Sequence, residues 1–136
     1  MPRSAAARTS ALAAVLLNLM VLYAPRVPAV PTGGLPADKL VHVVAFALPT
    51  IALAWAGVPW RWVVAGMAGH ALLSEVVQAA VLPDRSGDPW DVVADLLGIA
   101  LGVAVLGWLA RRSARSAALR PGPGPRGGGP EPGTTR

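Results

Sequence analysis

The chain has 136 residues, of which 54% are hydrophobic and 14% charged, with a mean hydropathy of +0.52; a soluble domain carries about 25% charged residues, so an ordinary soluble fold is excluded. The net charge of +5 does not mark a nucleic-acid binder, because six of the twelve Lys and Arg lie at or after Arg111, which makes a tail and not a groove. The absence of cysteine excludes disulfides, thiol nucleophiles and thiolate metal sites.

Four apolar segments follow one another. The first covers residues 10–24 and ends at Pro25, where a Pro-rich connection cannot continue a helix. It is short for a span of ~20 residues. A secretory signal is its alternative reading, with Arg3 and Arg8 as a basic start and Val27-Pro28-Ala29 as a small-residue cleavage site. The second, third and fourth segments cover residues 39–56, 60–81 and 89–110. At about 1.5 Å per residue each reaches roughly 26–33 Å, enough for the ~30 Å hydrocarbon core. The expected fold is all-α: an integral membrane bundle of four transmembrane helices over residues 1–110. Residues 111–136, basic and then Pro/Gly-rich, are expected to form a disordered cytoplasmic tail whose basic start is attracted to anionic lipid.

Basic residues in the short flanks set the orientation. Arg3, Arg8, Arg61 and the Arg111-Arg112 tail fall on one side, against Arg26, Lys39 and Arg85 on the other, so both termini are expected to be cytoplasmic. Six of the seven acidic residues then gather toward the outer face, and Glu131 alone lies inside. Trp55, Trp60, Trp62, Trp90 and Trp108 sit near helix ends as interfacial anchors.

The outer ends of three helices carry the chemistry. Asp38, His42 and Phe46 share a helix face at a spacing of four, with Lys39 beside them, and Asp38 is also placed to cap the helix. Pro49 frees a backbone carbonyl one turn back, which neighbouring helices must satisfy. Glu75 and Gln78 lie one turn apart, with Glu75 roughly 12 Å along the helix from its exit. An ionisable group at that depth costs at least ~2.5–3.5 kcal/mol unless paired or hydrated, which makes Glu75 a functional candidate. His70, nearer the midplane, reads as a hydrogen-bonded interior histidine.

In the stretch RSGDPWDVVADLLG, Asp88-Pro89 reads as an N-cap followed by the first helical residue, and Asp91 meets the amide end of the helix. Asp95 lies roughly 10 Å deeper and has no such excuse. Asp91, Asp95, Gly98 and Gly102 share one face, and Gly98-x-x-x-Gly102 is a small-residue pattern that lets another helix approach. Asp38, Lys39, His42, Glu75, Gln78, Arg85, Asp91 and Asp95 are therefore expected to converge on one outward-facing polar pocket. A mutually neutralising network that fixes helix register is the structural alternative. No phosphate loop, nucleophile elbow or zinc-helix motif is present.

The segments DKLVHVVAFALP and SEVVQAAVLPDRSGDPWDVVADLLGIALG resemble the VanZ-like family of small bacterial membrane proteins. Its pattern is Asp-Lys-x-x-His-x-x-x-Phe, then Glu-x-x-Gln, then Arg, Asp and Asn or Asp leading to Gly. Asp38, Lys39, His42, Glu75, Gln78, Arg85, Asp91, Asp95 and Gly98 stand at motif positions, with Asp95 where Asn is common. The resemblance implies a multi-pass protein of the bacterial cytoplasmic membrane with a cell-envelope role linked to glycopeptide (teicoplanin) resistance. It implies no defined reaction and no cofactor. The expected partners are membrane lipid and an anionic envelope intermediate, such as a lipid-linked phosphate or peptidoglycan precursor, held by Lys39 and Arg85. His42 or Glu75 would then move a proton as candidate catalytic groups. A small proton-coupled transporter and a structural or accessory subunit of an envelope complex are the alternative functions.

Overall fold

The computed structural model describes residues 4–23, 37–81 and 88–119. They form four helices, α1 (Ala5–Tyr23), α2 (Ala37–Trp55), α3 (Trp60–Val81) and α4 (Pro89–Ala118), with no strand among the described residues. Each helix is long and apolar enough to cross a membrane, which makes this a multi-pass membrane protein. The distribution of side chains agrees. Leu12, Leu16, Met20, Leu40, Leu72, Val76 and Leu97 are exposed, while Asn18, His42, Thr50, Ser74, Gln78, Asp91 and Asp95 are buried. Such a surface suits hydrocarbon, and the polar groups find their partners inside.

The first helix starts earlier than the sequence suggested, at Ala5 instead of residue 10. Ser4 causes this: its hydroxyl accepts from the Ala7 amide at 3.3 Å and its carbonyl from the same amide at 3.1 Å, and the alanines that follow are strong helix formers. At 19 residues α1 has the length of a full span.

Helices α2 and α3 form a hairpin. Gly57 ends α2 in the left-handed region at φ 103°, with Gly57 N donating to Ala54 O and Val58 N to Leu53 O, both at 3.1 Å. A residue with a Cβ is disfavoured there, and the double bond pattern satisfies carbonyls that the helix end would otherwise orphan. Pro59 then accepts from Trp62 and Val63 to open α3.

Helix α4 departs most from expectation. The chain from residue 111 was expected to be a disordered tail, yet it stays helical to Ala118. Residues 111–118 contain only Arg, Ser, Ala and no proline, and the first proline beyond them is Pro121. Arg and Ala favour helix, and an established span supplies the nucleus, so nothing stops propagation there. The rest of the expected tail lies outside the described residues, apart from Leu119.

Leu22, Ala45, Phe46, Val63, Met67, Ala71 and Ile99 make the apolar core. Along it α4 crosses α2 at close range. A Cβ added at Gly98 would collide with the carbonyl oxygen of Val43, and one at Gly102 would fall 2.8 Å from Thr50 Cγ2. The small-residue face of α4 therefore lies against the backbone of α2, bringing the polar ends of the two helices into register.

Candidate functional site

Pairing between α2 and α4 builds the site. Asp88 caps α4, its Oδ1 accepting from the Trp90 amide at 3.0 Å, while its Oδ2 accepts from Lys39 Nζ at 2.5 Å. Lys39 also donates to Asp91 Oδ1. One ammonium thus bridges the cap and the first turn of α4, where it offsets two carboxylates. Asp88 stands at the rim just outside the span, and the Lys39 ammonium holds its carboxyl below the usual 3.8. Asp91 is buried, so its share of the bridge is the better shielded from water and salt.

One turn deeper, His42 Nδ1 donates to Asp95 Oδ1 at 2.8 Å, with both side chains buried. That bond fixes the ring and leaves Nε2 directed toward Asp91 Oδ2, 3.8 Å away. The separation is too long for a direct hydrogen bond, so Nε2 is the nitrogen free to exchange a proton. The second oxygen of Asp95, Oδ2, is buried without a hydrogen-bond partner. Glu75, on α3, joins the same group: the Asp88 amide and the charges of Asp91, Asp95 and His42 act on its carboxylate, while its Oε1 is buried and unpartnered. Two orphaned carboxylate oxygens beside an oriented imidazole are groups that packing alone leaves unsatisfied.

The expected pocket residues therefore divide. Lys39, His42, Glu75, Asp91 and Asp95 come together as the sequence suggested. Asp38 does not enter the interior: Ala37 precedes it in the helix, so it sits in the first turn and is no cap, its side chain is 61% exposed, and it approaches Lys39 only at 4.0 Å. Gln78 turns away from the carboxylates and donates to the Leu22 carbonyl at 3.0 Å, tying α3 to the end of α1. Arg85 lies outside the described residues. Gly98 and Gly102 set the approach of α2 and α4, as above.

A second polar contact, which the sequence reading missed, lies deeper. Pro49 cannot donate to Ala45 O, and Asn18 Nδ2 on α1 donates to that carbonyl at 2.9 Å. Asn18 Oδ1 in turn accepts from His70 Nε2 on α3 at 2.9 Å, and the His70 ring packs near both Phe46 and Tyr23, with centroids at 5.6 and 6.1 Å. One buried amide thus joins three helices at the carbonyl freed by proline. A lone Asn in an apolar run was the available signal, and Pro49 had already announced an acceptor in need of a donor.

Fold and site together define a class: a polytopic membrane protein, with four membrane-length helices among the described residues and a buried histidine–carboxylate network at one end. Among the described residues no three His, Asp or Glu side chains are arranged to hold a metal ion. No family model, curated protein or solved structure matches the chain. Chemically, the arrangement offers an imidazole oriented by a carboxylate, a nearby glutamate and one ammonium, a set suited to moving protons beside a charged group.

Proposed function

We propose that the chain is a VanZ-like protein of a bacterial cytoplasmic membrane. Both termini are cytoplasmic, the acidic end faces outward, and that end carries out acid–base chemistry on an anionic cell-envelope intermediate such as a lipid-linked phosphate or peptidoglycan precursor. The observation that carries this reading is the buried His42–Asp95 pair, which orients the imidazole and leaves Nε2 available. His42 and Glu75 exchange the proton. Lys39 and Arg85 meet the anion, which competes with the half-buried Asp88 for the ammonium and leaves the buried Asp91 in place. The motif running from Asp38 to Gly98 supports the family assignment and, through it, the link to glycopeptide resistance.

The test is teicoplanin susceptibility of a sensitive bacterial host expressing the chain. Wild type is expected to shift susceptibility, and His42→Gln and Glu75→Gln to abolish the shift at equal membrane abundance. Full retention of the shift by both variants would overturn the catalytic reading. Orientation has its own measurement: a single cysteine at Ser86 is expected to react with a membrane-impermeant thiol reagent on intact cells, and labelling only after lysis would reverse the topology.

A structural or accessory subunit is the second reading. It is favoured by the engagement of Lys39 with two carboxylates and by the tying role of Gln78, and it expects both His42→Gln and Glu75→Gln to be tolerated. A proton-coupled transporter is less well supported, because below His70 the interior of α3 is lined by Met67 and Val63.

A further inference from the structure

The far end of α4 carries a surface that the acidic site does not use. The helix has 30 residues, about 45 Å of length against ~30 Å of hydrocarbon, so a substantial part projects. Trp90 and Trp108 are both exposed and stand about 27 Å apart along the axis, so the two indoles mark the two faces of the bilayer. Residues 111–118 then extend past the second indole as ordered helix, with Arg111, Arg112 and Arg115 exposed.

The direction of these side chains matters more than their number. Helical side chains lean toward the N-terminus of their helix, which on α4 means back toward the membrane. The Arg112 guanidinium lies 5.0 Å from the centroid of the Trp108 ring. The Arg111 guanidinium reaches back over Gly107, with Nη1 3.7 Å from where a side chain there would begin. Both charges are thus held at the level of the interfacial tryptophan, and a hollow lined by Trp108, Arg111, Arg112 and Arg115 opens beside them. No acidic residue occurs in positions 96–119, and among the described residues no ion pair occurs at this end.

We propose that this segment is a docking surface for anionic phospholipid headgroups of the surrounding leaflet, with Arg111, Arg112 and Arg115 on the phosphate and Trp108 at the interface beneath it. Guanidinium pairs suit the forked geometry of phosphate oxygens, and an indole already carrying a cation is at home at the boundary between headgroup and chain. Lipid is favoured over a soluble phosphate compound or a polynucleotide because Arg111 and Arg112 point back at the bilayer, and because the surface continues the lipid-facing side of a membrane span. This surface is independent of the acidic end and of what that end does.

The test uses the full chain reconstituted into vesicles of phosphatidylcholine and phosphatidylglycerol at a known ratio, extracted with its annular lipid into polymer-bounded discs, with the co-extracted lipids quantified. Both leaflets carry the same mixture, so the result does not depend on orientation. Wild type is expected to carry more phosphatidylglycerol than the bulk mixture, and R111Q/R112Q/R115Q to lose most of that excess. Each arginine lost is expected to lower the preference by up to about fivefold, the factor that one basic residue near an anionic surface is worth. The three positions are exposed, so the variant is expected to keep the helicity of wild type. A wild-type ratio equal to bulk, or an undiminished preference in the triple variant, would overturn the proposal. An excess of inorganic phosphate is expected to leave the enrichment in place relative to chloride of equal ionic strength. Its loss in phosphate alone would reassign the surface to free phosphate and also sink the lipid proposal.

Discussion

The two ends of the bundle handle charge in opposite ways. At one end Asp91, Asp95 and His42 are buried and are held together with Lys39, Glu75 and Asp88 across three helices. At the other end Arg61, Arg111, Arg112 and Arg115 are exposed, and no ion pair forms there among the described residues. Buried charge must be matched group by group because desolvation is costly, whereas charge at the rim is stabilised by water, counterions and lipid. The acidic end is therefore sensitive to geometry, and the basic end mainly to the number of its charges.

Substitutions sharpen this contrast. The largest effect is expected from Asp95→Ala, which strips the partner from a buried imidazole and is expected to cost about 3–5 kcal/mol in reversible unfolding from mixed micelles; a cost as small as that of a surface substitution would mean that the two ends do not differ in kind. Gly98→Ala comes next, at about 1–3 kcal/mol, because its methyl meets the Val43 carbonyl and α4 must move away from α2. Gly66→Ala, with nothing within 4 Å of its new methyl, is the control and is expected to be no less stable than wild type in the same titration, since alanine favours helix over glycine.

Asn18→Leu is expected to cost about 1–2 kcal/mol, since it leaves the Ala45 carbonyl and the His70 N–H without partners in the interior. Infrared spectroscopy with a carbon-13 label on the Ala45 carbonyl checks the cause: the amide band is expected to shift to the frequency of an unbonded carbonyl. The smallest effect belongs to Asp88. Its carboxyl titrates below the usual range when folded, so its contribution is present above the ordinary aspartate value and is lost as pH falls through the depressed one. Melting temperature is expected to decline over that acidic interval in wild type and less so in Asp88→Asn, which keeps the cap but loses the charge opposite Lys39.

Much of this was legible in the sequence, for reasons that also explain the rest. Hydropathy announces four helices, and Asp88-Pro89 announces the start of α4, because both signals are local. The facing of Asp91, Asp95 and Gly98 is equally local, since helical spacing fixes it. Which partner each polar group meets is not local. Gln78 shares a helix end with Glu75, yet it lies close enough to α1 to bond Leu22 O, and no spacing within α3 reveals that. Asn18 was silent because it carries no charge and sits in an apolar run, and its meaning appears only when Pro49, on another helix, comes alongside. The helical extension past residue 110 was hidden by reading basic residues as the end of order, although nothing in residues 111–118 breaks a helix.

The carbonyl left open by Pro49 makes α1 a matched part. Most of α1 is a lipid-facing surface on which only Ala11, Asn18 and Leu22 are buried, so as an anchor it could be exchanged for almost any apolar helix. As a component it could not: a substitute must present one side-chain amide at the depth of Asn18, turned toward α2 and α3 at once. A chimaera carrying a uniformly leucine first helix would insert and span, and would leave α2 with an unanswered acceptor at its proline.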